Sequence, residues 1–198
     1  MTVKKTIPTY DSKHRLTGSI SIAGKKAPIV KKKPTPITLV ETTLEERALE
    51  APFQRARPND LLAIWRLEHE TYTEIEPWGK EEFMAYLTNL RYNFQVLYDG
   101  KVLMAYGCAG VTKGIREIDT LTVNEGYRGL GLGSKMLDHL LAWLAKKDIT
   151  EVKLEVEPEN HMAQALYRRK GFKEVKRLVD YYAPGKDAIL MSKKFKRK

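Results

Sequence analysis

The run Tyr127-Arg128-Gly129-Leu130-Gly131-Leu132-Gly133, followed by Ser134, sets three glycines at alternate positions just ahead of regularly spaced leucines. Glycine takes positive φ and lets a backbone approach a ligand closely. Peptide N–H groups at a helix start collect at the positive end of the helix dipole. The segment is therefore suited to cradle an anion, with Arg128 adding a charge-assisted contact or closing the loop. Two common phosphate motifs do not fit. The P-loop needs Gly-Lys-Ser/Thr, whereas Gly133-Ser134-Lys135 reverses that order, and the dinucleotide fingerprint needs two residues before its last glycine where this chain has one. Glycine-rich turns also serve as plain strand-to-helix corners, so the run alone specifies a phosphate cradle and no particular ligand.

Other residues with chemical potential are few. Cys108 is the single cysteine, which excludes an internal disulfide and a multi-cysteine metal site and suits a reducing compartment. A thiolate is a nucleophile, but the mid-sheet position of Cys108 and the lack of a neighbouring histidine assign it to packing. His14, His69, His139 and His161 have no metal-ligand spacing, so no metal is expected. Alternation along Glu117, Asp119 and Leu121 against Ile118, Thr120 and Thr122 leaves open which face meets a cleft.

The elements that position these residues follow from periodicity. Ala51–Arg57 reads as a strand, and Pro58-Asn59-Asp60 caps a helix through Leu61, Leu62, Ile64, Trp65 and Leu67. A second helix runs from about Lys80 to Leu90. Asn93–Tyr98, Asp99-Gly100 and Lys101–Cys108 form a hairpin with a tight two-residue turn, and Ile115–Val123 adds a third strand. Leu132, Met136, Leu137, Leu140, Leu141 and Leu144 recur at helical spacing behind the glycines. Val152–Val156, a helix over Asn160–Lys170, and strands Phe172–Asp180 and Ala188–Phe195 complete the chain. The order β-α-α-β-β-β-α-β-α-β-β is an α/β fold with a mixed sheet and helices on its faces.

Residues 1–50, with Pro8, Pro28, Pro34 and Pro36, read as a basic, flexible extension holding at most a short hairpin around Ser19-Ile20-Ser21-Ile22; residues 51–198 are the expected catalytic domain. Nine lysines and arginines against Asp11 precede Pro34, so residues 1–34 carry eight of the ten net positive charges. A compact basic arm tracks phosphates, and RNA or ribosome contact through residues 1–34 is one reading; a solvated tail is the other. The arm lacks the apolar core of a secretory signal and is lysine-rich where transit peptides favour arginine, and no apolar run approaches the roughly 18 residues of a membrane span. A cytoplasmic enzyme without membrane contact is expected.

Arg128-x-x-Gly131-x-Gly133 resembles the Q/R-x-x-G-x-G/A signature of the GCN5-related N-acetyltransferases (GNAT family), whose turn binds the pyrophosphate of CoA. Leu154-Glu155-Val156-Glu157-Pro158-Glu159-Asn160, Ala165-Leu166-Tyr167, Gly171-Phe172, Asp180-Tyr181-Tyr182 and Asp187-Ala188-Ile189-Leu190-Met191 resemble the protein N-terminal acetyltransferases, most of all the RimI-like enzymes that act on the N-terminal alanine of a small-subunit ribosomal protein. Asn124-Glu125 departs from the Asp-Pro common before the family turn. The resemblance implies acetyl-CoA as cosubstrate, held by Arg128, Gly129, Gly131, Gly133, Ser134 and Asn160 and by the backbone around Leu121 and Val123. It implies Glu155 as general base, with Glu117 a rival, and Tyr167 as the acid that protonates the CoA sulfur. Tyr181 and Tyr182 resemble residues lining a peptide channel, with Glu76, Pro77 and Trp78 as its opposite lip. The implied reaction is direct acetyl transfer to a protein N-terminal amine; a lysine, polyamine or small-molecule amine is the alternative acceptor.

Overall fold

The computed structural model describes residues 4–10, 16–23, 42–73, 77–112, 115–147 and 150–195. The chain forms two units, Met1–Val40 and Glu41–Lys198. In the first, β1 (Lys4–Tyr10) pairs antiparallel with β2 (Leu16–Ala23), from Lys4 opposite Ala23 to Tyr10 opposite Leu16. The Ser-Ile alternation expected to form a hairpin lies in β2.

The second unit opens with α1 (Leu44–Glu50), for which the sequence reading made no provision. Thr43 and Glu46 cap it reciprocally, side chain to backbone, and it buries Ala48 in the core. The strand expected over Ala51–Arg57 shrinks to β3 (Gln54–Arg55). Ala51 instead closes α1, its N–H bonding the Arg47 carbonyl, and Phe53 leaves the sheet to stack on His139 with ring centroids 3.8 Å apart. Then follow α2 (Leu61–Thr71), α3 (Lys80–Thr88), β4 (Tyr92–Asp99), β5 (Val102–Thr112), β6 (Ile115–Val123), α4 (Leu132–Ala145), β7 (Glu151–Val156), α5 (His161–Arg169), β8 (Lys173–Ala183) and β9 (Lys186–Lys194). From residue 51 onward this is the expected order.

Two turns differ in detail from expectation. Asp99 still pairs with Val102, so the β4–β5 turn is Gly100-Lys101, one residue later than anticipated, with Gly100 at φ 58°. β8 runs past Asp180 to Ala183, because the chain reverses at Pro184-Gly185 and Ala183 pairs with Lys186.

The sheet order is β3-β4-β5-β6-β7-β9-β8, with β6 and β7 parallel and every other pairing antiparallel. A parallel pair needs a crossover, and α4 supplies it. One face of the sheet is covered by α4, whose Leu132, Met136, Leu137, Leu140, Leu141 and Leu144 are buried with Val152, Leu154 and Val156 of β7. At roughly 1.5–3 kcal/mol per fully buried large apolar side chain, this face supplies much of the fold's stabilisation. The other face packs Ile64 and Leu67 of α2 and Phe83 and Leu87 of α3 against Phe94, Val96, Tyr106 and Cys108.

Candidate active site

β6 carries one irregularity that decides which of its residues reach the cleft. Cys108 pairs with Thr120 and Ala109 with Ile118, so Asp119 is an extra residue in the ladder. A bulge of this kind places two successive side chains on one face. Before it, Ile118 packs into the α4 core; after it, Leu121 and Val123 do. Thr122, by contrast, is buried on the other face against Tyr72.

β6 and β7 then part. Their only register pair among the described residues is Glu117 with Lys153, while β7 keeps pairing with β9 as far as Val156 opposite Ile189. The wedge between the two strands leaves the backbone of β6 beyond Asp119 without a strand partner on that side. Backbone groups need partners, and the wedge offers them to a ligand lying along β6.

At the wide end lies a cleft of about 620 Å³, walled by Leu121, Val123, Arg128, Gly129, Gly131 and the first turn of α4. Gly131 is the helix N-cap at φ 80°, with Gly129 at φ 81°, a region costly for residues with a Cβ. Gly131 contributes no side-chain cap, and the first intrahelical bond is Lys135 N–H to the Gly131 carbonyl. The amides of Leu132, Gly133 and Ser134 thus stay available at the helix N-terminus. Arg169, from the last turn of α5, joins Arg128 in this wall. The sequence reading missed Arg169; its spacing of three from Leu166 and six from Ala163, which wall the same cleft, was the available signal.

The cleft narrows past Tyr72, Leu121, Glu157, Asn160 and Ala163, which belong to both compartments, into a smaller space of about 140 Å³. Asn160 accepts a bond from the Ala163 N–H at 3.0 Å, so it caps α5 as well as lining the cleft. The small compartment brings together Glu155, Tyr167, Tyr182, Trp78, Asp119 and Glu68. Glu117 is not among its walls and sits at the apex of the wedge. Glu76 of the expected lip lies outside the described residues, as do the side chains of residues 1–34.

Burial first, then the neighbouring Glu117, raises the Glu155 carboxyl above the usual carboxylate range, against a hydrogen bond from the Tyr181 hydroxyl and the charge of Lys153. Tyr167 is buried and tilted against Phe172 at 5.9 Å, and burial, helped by Tyr72, pushes its hydroxyl upward, so that it stays protonated. Tyr72 was not anticipated. It ends α2, takes a bond from the Thr122 hydroxyl at 3.4 Å, and burial pushes its own hydroxyl up to about 12. Glu68, another unanticipated wall, accepts the Tyr106 hydroxyl and the Trp78 backbone N–H, tying α2 to the lip. Trp78 stacks on Tyr86 at 4.6 Å.

Tyr181 and Tyr182 reach the site because β8 breaks its pairing between Leu178 and Ala183. Asp180 takes φ 53° there, its N–H bonds Asp187 Oδ1 at 2.9 Å, and Arg177 Nε bonds Asp187 Oδ2 at 2.5 Å. The two rings meet edge to face at 4.9 Å. Cys108 is fully buried on the α2/α3 side, and burial, then Asp119, pushes its thiol well up, away from the nucleophilic thiolate. His69 bonds the Trp65 carbonyl and His139 stacks on Phe53; no group of metal-binding side chains occurs among the described residues.

A helix N-terminus with amides turned to a cleft, a split parallel pair and an acidic, tyrosine-lined end together suit transfer of an acyl group from a phosphate-bearing carrier to an amine. The acetyltransferase (GNAT) family profile matches residues 59–172. The chain belongs to this family. It is 30% identical over 136 residues to the [ribosomal protein bS18]-alanine N-acetyltransferase of Escherichia coli strain K12, covering 67% of this chain and 90% of that one. The crystal structure of the ribosomal-protein-S18-alanine N-acetyltransferase from Escherichia coli superposes with a TM-score of 0.64 at 26% identity, over 74% of this chain and 95% of that one. An N-alpha-acetyltransferase of Sulfurisphaera tokodaii is 45% identical over 76 residues, 37% of this chain and 44% of its own. The PaiA N-acetyltransferase of Thermoplasma acidophilum, solved with coenzyme A, shares the fold with a TM-score of 0.61 at 19% identity, over 73% of this chain and 98% of that one.

Proposed function

We propose that the protein transfers acetyl from acetyl-CoA to the α-amine of a protein N-terminus, the N-terminal alanine of a small-subunit ribosomal protein being the leading substrate. The observation that carries this is the continuity of the cleft, from the amides of Leu132, Gly133 and Ser134 past Asn160 to Glu155 and Tyr167. The turn fits a pyrophosphate, and the open edge of β6 at Leu121 and Val123 fits the pantetheine amides and the acetyl carbonyl.

An α-amine with a pKa near 8 is about one unit short of deprotonation at pH 7, against roughly three for lysine. A carboxylate raised by burial is base enough for the former. Glu155 takes a proton from the attacking nitrogen, directly or through water, and Tyr167, kept protonated by burial, gives its proton to the departing sulfur. Tyr181 orients Glu155, and Tyr182, Trp78 and Tyr72 flank the acceptor's first residue. Transfer is direct, since Cys108 lies outside the walls of either compartment.

The test is acetyl-CoA turnover on peptides beginning Ala, Met, Ser and Thr, each with a free or blocked α-amine and one internal lysine. Turnover on free α-amines, highest for Ala, is the expected result. Activity on the blocked lysine peptides alone overturns the reading.

A further inference from the structure

Asp119 has no part in the mechanism above, yet it occupies the bulge of β6 and lines the small compartment with Glu155. The Tyr86 hydroxyl reaches its Oδ1 at 3.5 Å, while Oδ2 is buried without a hydrogen-bond partner. Space for that oxygen comes from Gly110: a Cβ there would lie 3.2 Å from Oδ2 and 2.4 Å from the Tyr92 ring. A buried carboxylate oxygen lacking a donor costs free energy, and an arriving cation offsets that cost.

The groups around Asp119 are Glu117 on its own strand, Glu155 from β7, Tyr86 from α3, Tyr181 from β8 and Cys108 from β5. Burial first, then Glu117, pushes Asp119 up to about 7. This lies close to the range of an α-ammonium.

We propose that Asp119 is the first proton acceptor of the reaction, deprotonating the acceptor ammonium as it enters the cleft, and that Glu155 takes the second proton during transfer. The assignment rests on the reading of the cleft as an amine acetyltransferase site. In the first step the ammonium and the Asp119 carboxylate become a neutral amine and a carboxylic acid. The nitrogen lone pair then forms the N–C bond as the C–S bond of the thioester breaks. The second amine proton passes to Glu155, and the sulfur takes the Tyr167 proton. Of the two carboxyl protons, one returns to the Tyr167 oxygen and one leaves to solvent, matching the single proton released when an ammonium becomes an amide.

The experiment is the pH dependence of kcat/KM for the wild type, Asp119→Asn, Asp119→Glu and Glu155→Gln on an α-amine peptide. Without Asp119 the enzyme captures only amine that is already neutral, about one molecule in ten at pH 7, whereas the wild type also captures the ammonium by pairing it with the Asp119 carboxylate and draws off the neutral amine as transfer consumes it. Asp119→Asn is expected to lose about tenfold at pH 7 and to regain wild-type kcat/KM as the pH rises past 8. Asp119→Glu keeps the wild-type profile, and Glu155→Gln stays low throughout. Asp119→Ala replaces the Asn variant if that chain does not fold. A deficit that is absent, or constant with pH, overturns the proposal. A wild type that uses only the lysine peptide overturns the α-amine reading instead; the comparison is then made on that peptide, with recovery expected near pH 10.4.

Discussion

The two ends of the cleft are built by different means. At the glycine turn the polar groups offered to a ligand are mainly peptide amides of one short segment, set by Gly129 and Gly131 in left-handed geometry and by the start of α4, with Arg128 and Arg169 beside them. At the other end they come from side chains delivered by α2, β6, β7, α5 and β8, most of them desolvated and displaced in pKa. On the proposed function the first end depends on backbone shape, which involves no titrating group of the turn. The second needs protonation states, which neighbouring charges set.

That contrast predicts separable defects. Glu155→Gln should lower kcat by about 10²-fold or more and leave the KM for acetyl-CoA within about twofold. Gly131→Val should do the reverse. Holding a residue with a Cβ at φ 80° costs about 1–2 kcal/mol, which corresponds to roughly a five- to thirtyfold rise in the KM for acetyl-CoA, with a smaller effect on the KM for peptide. Steady-state kinetics with both substrates varied measures both; a Gly131→Val enzyme with unchanged KM for acetyl-CoA would show that the turn is only a corner.

The smallest effect is confined to the acidic end. Tyr181 donates a hydrogen bond to Glu155 and holds its carboxyl down. In Tyr181→Phe that restraint goes, the Glu155 pKa rises, and the acid limb of kcat/KM moves to higher pH. The sign follows from the base having to be ionised: a higher pKa leaves less carboxylate at a given acidic pH, and activity near pH 8 is preserved. A shift to lower pH would contradict this pairing.

Legibility in the sequence divides along the same line. The glycine run ahead of a helix, the leucine spacing of α4 and the strand over Val152–Val156 are local patterns, and the sequence reading placed each as an element the structure contains. The acidic end is not local. Alternation left the faces of β6 open because the bulge at Asp119 changes phase in mid-strand, and no composition signal marks a bulge. Tyr72 was passed over because it stands where the apolar pattern of α2 stops, and its partner Thr122 is fifty residues away. α1 was missed because a single buried Ala48 gives no amphipathic stripe over seven residues. The shortening of β3 has the same origin as α1, since Ala51 closes that helix.

Lys135 lies in the first turn of α4, and its ammonium bonds the Leu49 carbonyl at 2.6 Å and the Ala51 carbonyl at 2.7 Å. It therefore satisfies carbonyls at the C-terminal end of α1 that the helix itself leaves unpaired. One turn of α4 is thus engaged twice, its lysine by the preceding helix and its amides by the cleft wall proposed to take the CoA pyrophosphate. Ligand that binds only the ordered turn stabilises everything that must be ordered with it, so occupancy at the glycines also suppresses local opening of α1. A helix with no wall in the cleft is thereby thermodynamically part of it, and a chain cut back to Ala51 would hold its phosphate end more loosely.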